Sequence, residues 1–314
     1  MTASAWRLDA IPDLAGRRAI VTGANSGLGL ITARELARHG AAVVLACRDR
    51  ARGEAALADV LASAPGADVA LAQLDVGSLD SIRALAAAEP ERPLDLLVNN
   101  AGVMASPRRE TVDGFELQLG TNHLGHFALT GLLLPRLQRA AAPRVVTVAS
   151  SAHRMGRIDF DDLMGRRRYR RWGAYGQSKL ANLLFMLELD RRARTAGSPL
   201  KSVAAHPGYA ATNLQSAAPP LLDRLVMGVL NRVVAQSAEQ GALPLLYAAT
   251  FPDLPGAAYV GPAGRREARG DPQLVSMSER AQDPETARRL WEVSETLTRV
   301  RYEFTRPTWS AGTG

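Results

Sequence analysis

The sequence predicts an α/β protein: a doubly wound parallel sheet of about seven strands with helices on both faces. Three observations carry that expectation. Short apolar, β-branched runs recur along the chain, stretches of helical periodicity separate them, and a glycine-rich turn joins the first run to the first helix. Strands covered on both faces read as unbroken apolar runs, and regular alternation with helices makes them parallel. Right-handed crossovers then place helices on either side of the sheet.

Taken in order, the runs predict strands at 19–21, 42–46, 69–74, 94–99, 144–149, 202–205 and 258–260. The first is Ala19-Ile20-Val21, the second is built on Val43-Val44-Leu45, and the fourth on Leu96-Leu97-Val98. Helices are predicted at 27–39, 50–62, 79–87, 114–140, 176–196 and 238–249. No internal repeat or linker interrupts the pattern, so residues 1–314 are expected to form one domain. Residues 264–314 then form a C-terminal extension packed on it. The apolar stretch at 213–236, opened by Pro219-Pro220, reads as a lid over a substrate pocket, with ordinary core or a membrane-touching helix as alternatives.

The turn after the first strand is Thr22-Gly23-Ala24-Asn25-Ser26-Gly27-Leu28-Gly29. Gly23, Gly27 and Gly29 permit a tight turn and a close approach of backbone to a pyrophosphate. The helix that follows offers unpaired N–H groups and a positive dipole end to the same anion. A dinucleotide crevice is therefore expected, lined by Gly23, Asn25, Ser26, Gly27, Leu28 and Gly29. At the end of the second strand, Arg48 stands where a guanidinium could grip a 2′-phosphate, which predicts NADP(H) in preference to NAD(H). Asp75-Val76 ends the third strand, where a carboxylate could accept from an adenine amino group. Asn99-Asn100-Ala101-Gly102 ends the fourth, with small residues that let backbone pass beside the cofactor.

The chain is strongly basic, with a net charge of +7, yet of its 38 basic residues only Lys179 and Lys201 are lysines; the other 36 are arginines. Lys179 therefore stands out, four residues after Tyr175. Positions i and i+4 share a helix face, and an adjacent ammonium favours a phenolate. A Tyr175 pKa below the usual phenol value is thus expected, suiting the side chain to proton transfer. Nucleic acid is not expected as a partner, because the arginines are scattered and only 166–171 cluster, reading as a solvated basic loop. Cys47 is the sole cysteine, and neither a signal pattern nor an apolar run long enough for a membrane span occurs, so a cytoplasmic protein without integral membrane association is expected. His153 and His206 lie near Ser150 and Ser151, but no Gly-x-Ser-x-Gly elbow surrounds either serine, and no metal-ligand spacing is present.

Thr22–Gly29, Asn99–Gly102, Asn122, Ser150-Ser151 and Tyr175–Lys179 together resemble the short-chain dehydrogenase/reductase family over about residues 15 to 262. Asn122-His123-Leu124-Gly125-His126-Phe127, Arg48, Ser178-Lys179-Leu180-Ala181-Asn182, Gly261-Pro262 and Arg269-Gly270 are similar to its retinol-dehydrogenase-like subgroup, and a bacterial member is expected. The resemblance implies a single-domain Rossmann fold and catalytic Asn122, Ser150, Tyr175 and Lys179. Tyr175 would protonate a carbonyl oxygen, Lys179 would hold the nicotinamide ribose, and Asn122 would hold a water. It selects Ser150 through the following Ala152-His153, with Ser151 as the alternative. It also implies that Pro207, Gly208, Ala210 and Thr212 face the nicotinamide, and that two or four chains pair through the helices at 114–140 and 176–196. The function implied is NADP(H)-dependent interconversion of a lipophilic ketone or aldehyde and its alcohol. The rival readings are a catalytically silent NADP-sensing protein and a C=C reductase on the same fold.

Overall fold

The computed structural model describes residues 6–208 and 238–304. The strands are β1 (Arg18–Thr22), β2 (Ala42–Cys47), β3 (Val69–Gln73), β4 (Leu96–Asn99), β5 (Arg144–Val148), β6 (Lys201–Ala205), β7 (Tyr259–Pro262) and β8 (Pro272–Leu274). They form one sheet in the order β3-β2-β1-β4-β5-β6-β7-β8. Seven are mutually parallel, as the apolar runs require. The eighth, β8, was not expected; it is antiparallel to β7 and pairs Val260 with Leu274. Three residues that begin with proline leave almost no strand pattern to read.

The helices are α1 (Gly27–Arg38), α2 (Arg50–Ser63), α3 (Leu79–Ala88), α4 (Leu117–Leu119), α5 (Gly125–Leu137), α6 (Arg171–Thr195), α7 (Ala238–Thr250) and α8 (Pro284–Thr298). The expected helix 114–140 starts three residues later than its pattern suggested and is interrupted by a π turn at Gly120–Leu124. The next helix starts five residues earlier than expected, so Tyr175 lies inside α6 rather than just before it. Two apolar clusters sandwich the sheet. One joins Ile20, Leu97 and Val145 to Phe127, Leu184 and Trp291; the other joins Val21, Val98 and Val203 to Leu28, Leu36 and Leu245.

The C-terminal residues cover surfaces that the rest of the chain would leave bare. Trp291 of α8 packs edge-on against Phe127 at 5.0 Å and stacks on Phe185 at 5.9 Å, joining α8 to both α5 and α6. The Tyr302 hydroxyl donates to the Phe127 carbonyl at 2.6 Å. Pairing of two chains through α5 and α6, which the resemblance implied, would therefore meet α8 lying on that surface. No described helix is long and apolar enough to cross a membrane.

Candidate active site

The order of the sheet reverses direction between β1 and β4, which leaves a crevice above their carboxyl ends. The turn after β1 is shaped for close approach. Gly23 has φ +66° and Gly27 φ +55°, and a Cβ on Gly29 would stand 2.5 Å from the Gly23 carbonyl oxygen. Ser26, at the N-cap of α1, makes no side-chain bond to the helix amides, so its hydroxyl does not satisfy them. A tight glycine turn leading to an uncapped helix N-terminus fits a pyrophosphate.

The fold brings the other crevice residues to the same edge. Arg48 follows β2, is exposed, and enters no ion pair among the described residues. Its neighbour Asp49 is committed elsewhere: its carboxylate caps α2 by accepting from the Arg52 amide at 3.0 Å. One Asp75 oxygen accepts from the Gly77 amide at 2.8 Å, and the Val76 carbonyl is pressed against the start of α5 at Gly125. Asn99 differs from expectation. Its side chain points into the helix layer and donates to Thr130 Oγ1 at 3.0 Å, so only its backbone borders the crevice. Its neighbour Asn100, expected only as part of the Asn99–Gly102 segment, has a role of its own: its Nδ2 donates to the Thr22 carbonyl at 2.7 Å and so pins the glycine turn. Ala101 and Gly102 follow it, and a Cβ on Gly102 would lie 2.9 Å from Asn122 Oδ1.

The expected tetrad converges here. Tyr175 and Lys179 share one face of α6, with Nζ 5.8 Å from the phenol ring centroid. Lys179 is buried and donates to the Val148 carbonyl at 2.9 Å, one of the three donors an ammonium carries. Ser150 closes the group: its side chain acts on the Tyr175 phenol, favouring the phenolate, and its hydroxyl accepts from the Ala152 amide at 3.2 Å. Ser151 is exposed instead. The serine loop reaches Tyr175 because Gly156 lies flat against α6, where a Cβ would stand 2.3 Å from the Gly176 carbonyl. Asn122 uses its side chain fully. Oδ1 accepts from the Val103 amide at 2.8 Å, while Nδ2 donates to the Val103 carbonyl and to Ser178 Oγ, both at 2.9 Å. A water at Asn122 would therefore have to use a second lone pair, either of Oδ1 or of the backbone carbonyl that His126 Nδ1 already approaches at 3.1 Å.

The electrostatics overturn one expectation. Burial pushes the Tyr175 phenol up to about 12, with the Ser150 hydrogen bond pulling the other way. Burial also holds the Lys179 ammonium down to about 8. The expected lowering of the phenol pKa by its neighbour is absent, because Nζ faces the β5 carbonyl and both groups pay for leaving water.

His153 and His206 serve as loop fasteners. His153 Nδ1 lies 2.7 Å from the Ser150 carbonyl, and its Nε2 accepts from the Ser278 amide, so it is turned away from the serine hydroxyl. His206 accepts from the Gly208 amide and pairs with Glu267 at 3.0 Å, which ties the loop at Pro207-Gly208 to residues 264–268. Ala210, Thr212 and the 213–236 segment lie outside the described residues. Beside Tyr175, Trp172 places an exposed ring 6.1 Å from the phenol ring, and Met155 is 60% exposed, so apolar surface rims the site.

A family model described as short chain dehydrogenase matches residues 17–220. Retinol dehydrogenase 12 of Mus musculus is 42% identical over 293 residues, covering 92% of this chain and 88% of that protein. Polyprenol dehydrogenase of Mus musculus is 44% identical over 299 residues, covering 93% and 87%. Among solved structures, an uncharacterized protein from Mycobacterium paratuberculosis is 48% identical with a TM-score of 0.81, covering 96% of this chain and 100% of that one.

Proposed function

The chain belongs to the short-chain dehydrogenase family, as a retinol-dehydrogenase-like oxidoreductase acting on CH–OH groups, and from that premise we propose that it interconverts a lipophilic ketone or aldehyde and its alcohol with NADP(H). The observation that carries this reading is the buried Tyr175–Lys179 pair on one face of α6, with Nζ 5.8 Å from the phenol ring centroid and the Ser150 side chain acting on the phenol, at the carboxyl edge of the sheet. Gly23, Asn25, Ser26, Gly27, Leu28 and Gly29 would hold the pyrophosphate. Asp75 and Val76 would lie along the adenine, and the Asn99, Ala101 and Gly102 backbone would run beside the cofactor. Pro207, Gly208, Ala210 and Thr212 would face its nicotinamide, which supplies or takes up the hydride when bound.

Tyr175 holds its proton at neutral pH and lies ready to give it to a carbonyl oxygen. Ser150 donates to the same oxygen, so negative charge that develops there meets two fixed donors. Lys179 keeps two N–H groups for the nicotinamide ribose. Asn122 anchors the loop after β4 to α6 and offers its carbonyl to a water. With Ser150→Ala, kcat is expected to fall about 10²-fold, the usual cost of one such donor, whereas Ser151→Ala stays within about twofold. Comparable losses in both variants, or a loss in Ser151→Ala alone, would reassign the serine.

The preference for NADP(H) rests on Arg48. Its guanidinium is free of ion pairs among the described residues, and the carboxylate that would favour a 2′-hydroxyl is already spent on capping α2. Arg48→Ala is expected to weaken NADPH binding by about tenfold or more, the worth of a charge-assisted pair, and to leave NADH binding nearly unchanged. Titration of both variants with both nucleotides measures this, and equal losses for the two would refute it. A lipophilic substrate fits the rim of Trp172 and Met155, and it also fits the retinol and polyprenol in the names of two relatives.

The arrangement of α8 favours a single chain over pairing through α5 and α6, and β8 caps the sheet edge at β7. Sedimentation at micromolar concentration is expected to give one species near 33.6 kDa. A stable species of twice that mass would return the α5–α6 pairing to consideration.

A further inference from the structure

A single buried imidazole joins the two halves of the site. His126 lies in the first turn of α5, 1% exposed. Its Nδ1 is 3.1 Å from the Asn122 carbonyl oxygen, and its Nε2 is 2.9 Å from Thr22 Oγ1. A carbonyl oxygen can only accept, so Nδ1 carries a proton. Thr22 Oγ1 in turn accepts from the Asn100 and Ala101 amides, both at 2.9 Å, and has one hydrogen left to give. Its acceptors are the Val98 carbonyl at 3.3 Å and His126 Nε2, the nearer of the two. The neutral Nδ1–H tautomer satisfies every atom in this string, and burial keeps the ring neutral by holding its pKa down to about 4.

Both ends of the string reach the chemistry. Thr22 opens the glycine turn and, through Asn100, fixes the loop after β4. Asn122 lies in the π turn, where carbonyls leave the regular helical pattern: the Gly125 amide bonds to Gly120. His126 grips the Asn122 carbonyl, while the Asn122 side chain holds Val103 and Ser178, next to Lys179.

We propose that His126 is a positioning residue, a fixed neutral strut that sets the dinucleotide turn and the Asn122 turn in one register. The proposal rests on the functional reading above and adds a residue to it. It predicts that the two contacts separate. In His126→Asn the amide N–H can replace Nδ1–H toward Asn122, but Thr22 loses the nearer of its two acceptors and keeps only the Val98 carbonyl at 3.3 Å. In His126→Gln the side-chain oxygen can reach the Thr22 hydroxyl, but the Asn122 carbonyl is released.

The test measures NADPH binding by fluorescence titration and kcat at saturating NADPH across a panel of lipophilic ketones and aldehydes. His126→Asn is expected to weaken NADPH binding about tenfold with kcat within about threefold, and His126→Gln to do the reverse, each change being the worth of one buried hydrogen bond. His126→Phe loses both. Equal losses in the Asn and Gln variants would reduce His126 to a packing residue and overturn the proposal. Nitrogen-15 spectra of the parent protein provide a readout that needs no variant to fold: a protonated Nδ1 and bare Nε2 between pH 6 and 8 support the strut, and the opposite tautomer overturns it. A parent chain that shows the predicted tautomer but neither binds NADPH nor reduces any carbonyl instead refutes the functional reading on which the proposal rests.

Discussion

Tyr175→Phe is expected to lower carbonyl reduction by about 10³-fold while NADPH affinity stays within about threefold, since a positioned general acid contributes about 10²–10⁴ to rate. The phenol is the one group in the cluster placed to give a proton, because Ser150 has no comparable acidity and Lys179 points to the Val148 carbonyl. With its pKa pushed up to about 12, the phenol is fully protonated at pH 7, which suits the reductive direction. Phenylalanine keeps the ring beside Trp172 and removes only the hydroxyl. Binding of the dinucleotide is governed by the glycine turn and Lys179 and should survive. Parallel loss of binding and turnover would mean that the hydroxyl holds the architecture together and does not act in the chemistry.

Lys179→Met is expected to abolish measurable turnover and yet leave the folded protein at least as stable as the parent. The ammonium is buried, has no carboxylate partner among the described residues, and carries a pKa held down to about 8. Between about pH 8 and its unfolded value of 10.5, the unfolded chain binds a proton at this site that the folded chain does not. Stability contributed by this group therefore rises with pH through that window, and the full penalty applies below it. Methionine removes the penalty, worth up to about 3 kcal/mol from a shift of that size. The Val148 carbonyl keeps its second donor, Asn182 Nδ2 at 3.0 Å. Denaturant midpoints of parent and variant should differ most at pH 7 and converge towards pH 10.5. A variant less stable than the parent at pH 7 would show that the ammonium is better solvated than its burial implies.

The parts of this protein legible in the sequence are those set by local pattern. Runs such as Val43-Val44-Leu45 and Val145-Val146 are apolar on both faces because helices cover both sides of the sheet, and that leaves a plain mark. The glycine turn and the Tyr175–Lys179 spacing mark the site for the same reason. What stayed hidden depends on contacts between distant segments. The sign of the Tyr175 shift is set by how completely the folded chain buries the phenol, which no local spacing reports. The roles of Asn99 and Asn100 depend on which one is the last residue of β4: Asn99 turns to Thr130, and Asn100 turns back to Thr22.

Helix α8 is a different case, because its signal was present. Asp283-Pro284-Glu285 is a capped start with proline at the first turn, and Ala287, Leu290, Trp291, Ser294 and Thr298 fall on one face. Reading 264–314 only as an extension missed a helix that fills the groove between α5 and α6.

The most direct test of the proposed chemistry is the fate of hydrogen from NADPH deuterated at nicotinamide C4. With a lipophilic ketone or aldehyde as acceptor, one deuterium is expected on the carbinol carbon of the alcohol, transferred from one label face and not the other. Deuterium on a carbon of a reduced C=C bond, or none in any product despite tight NADPH binding, would contradict it.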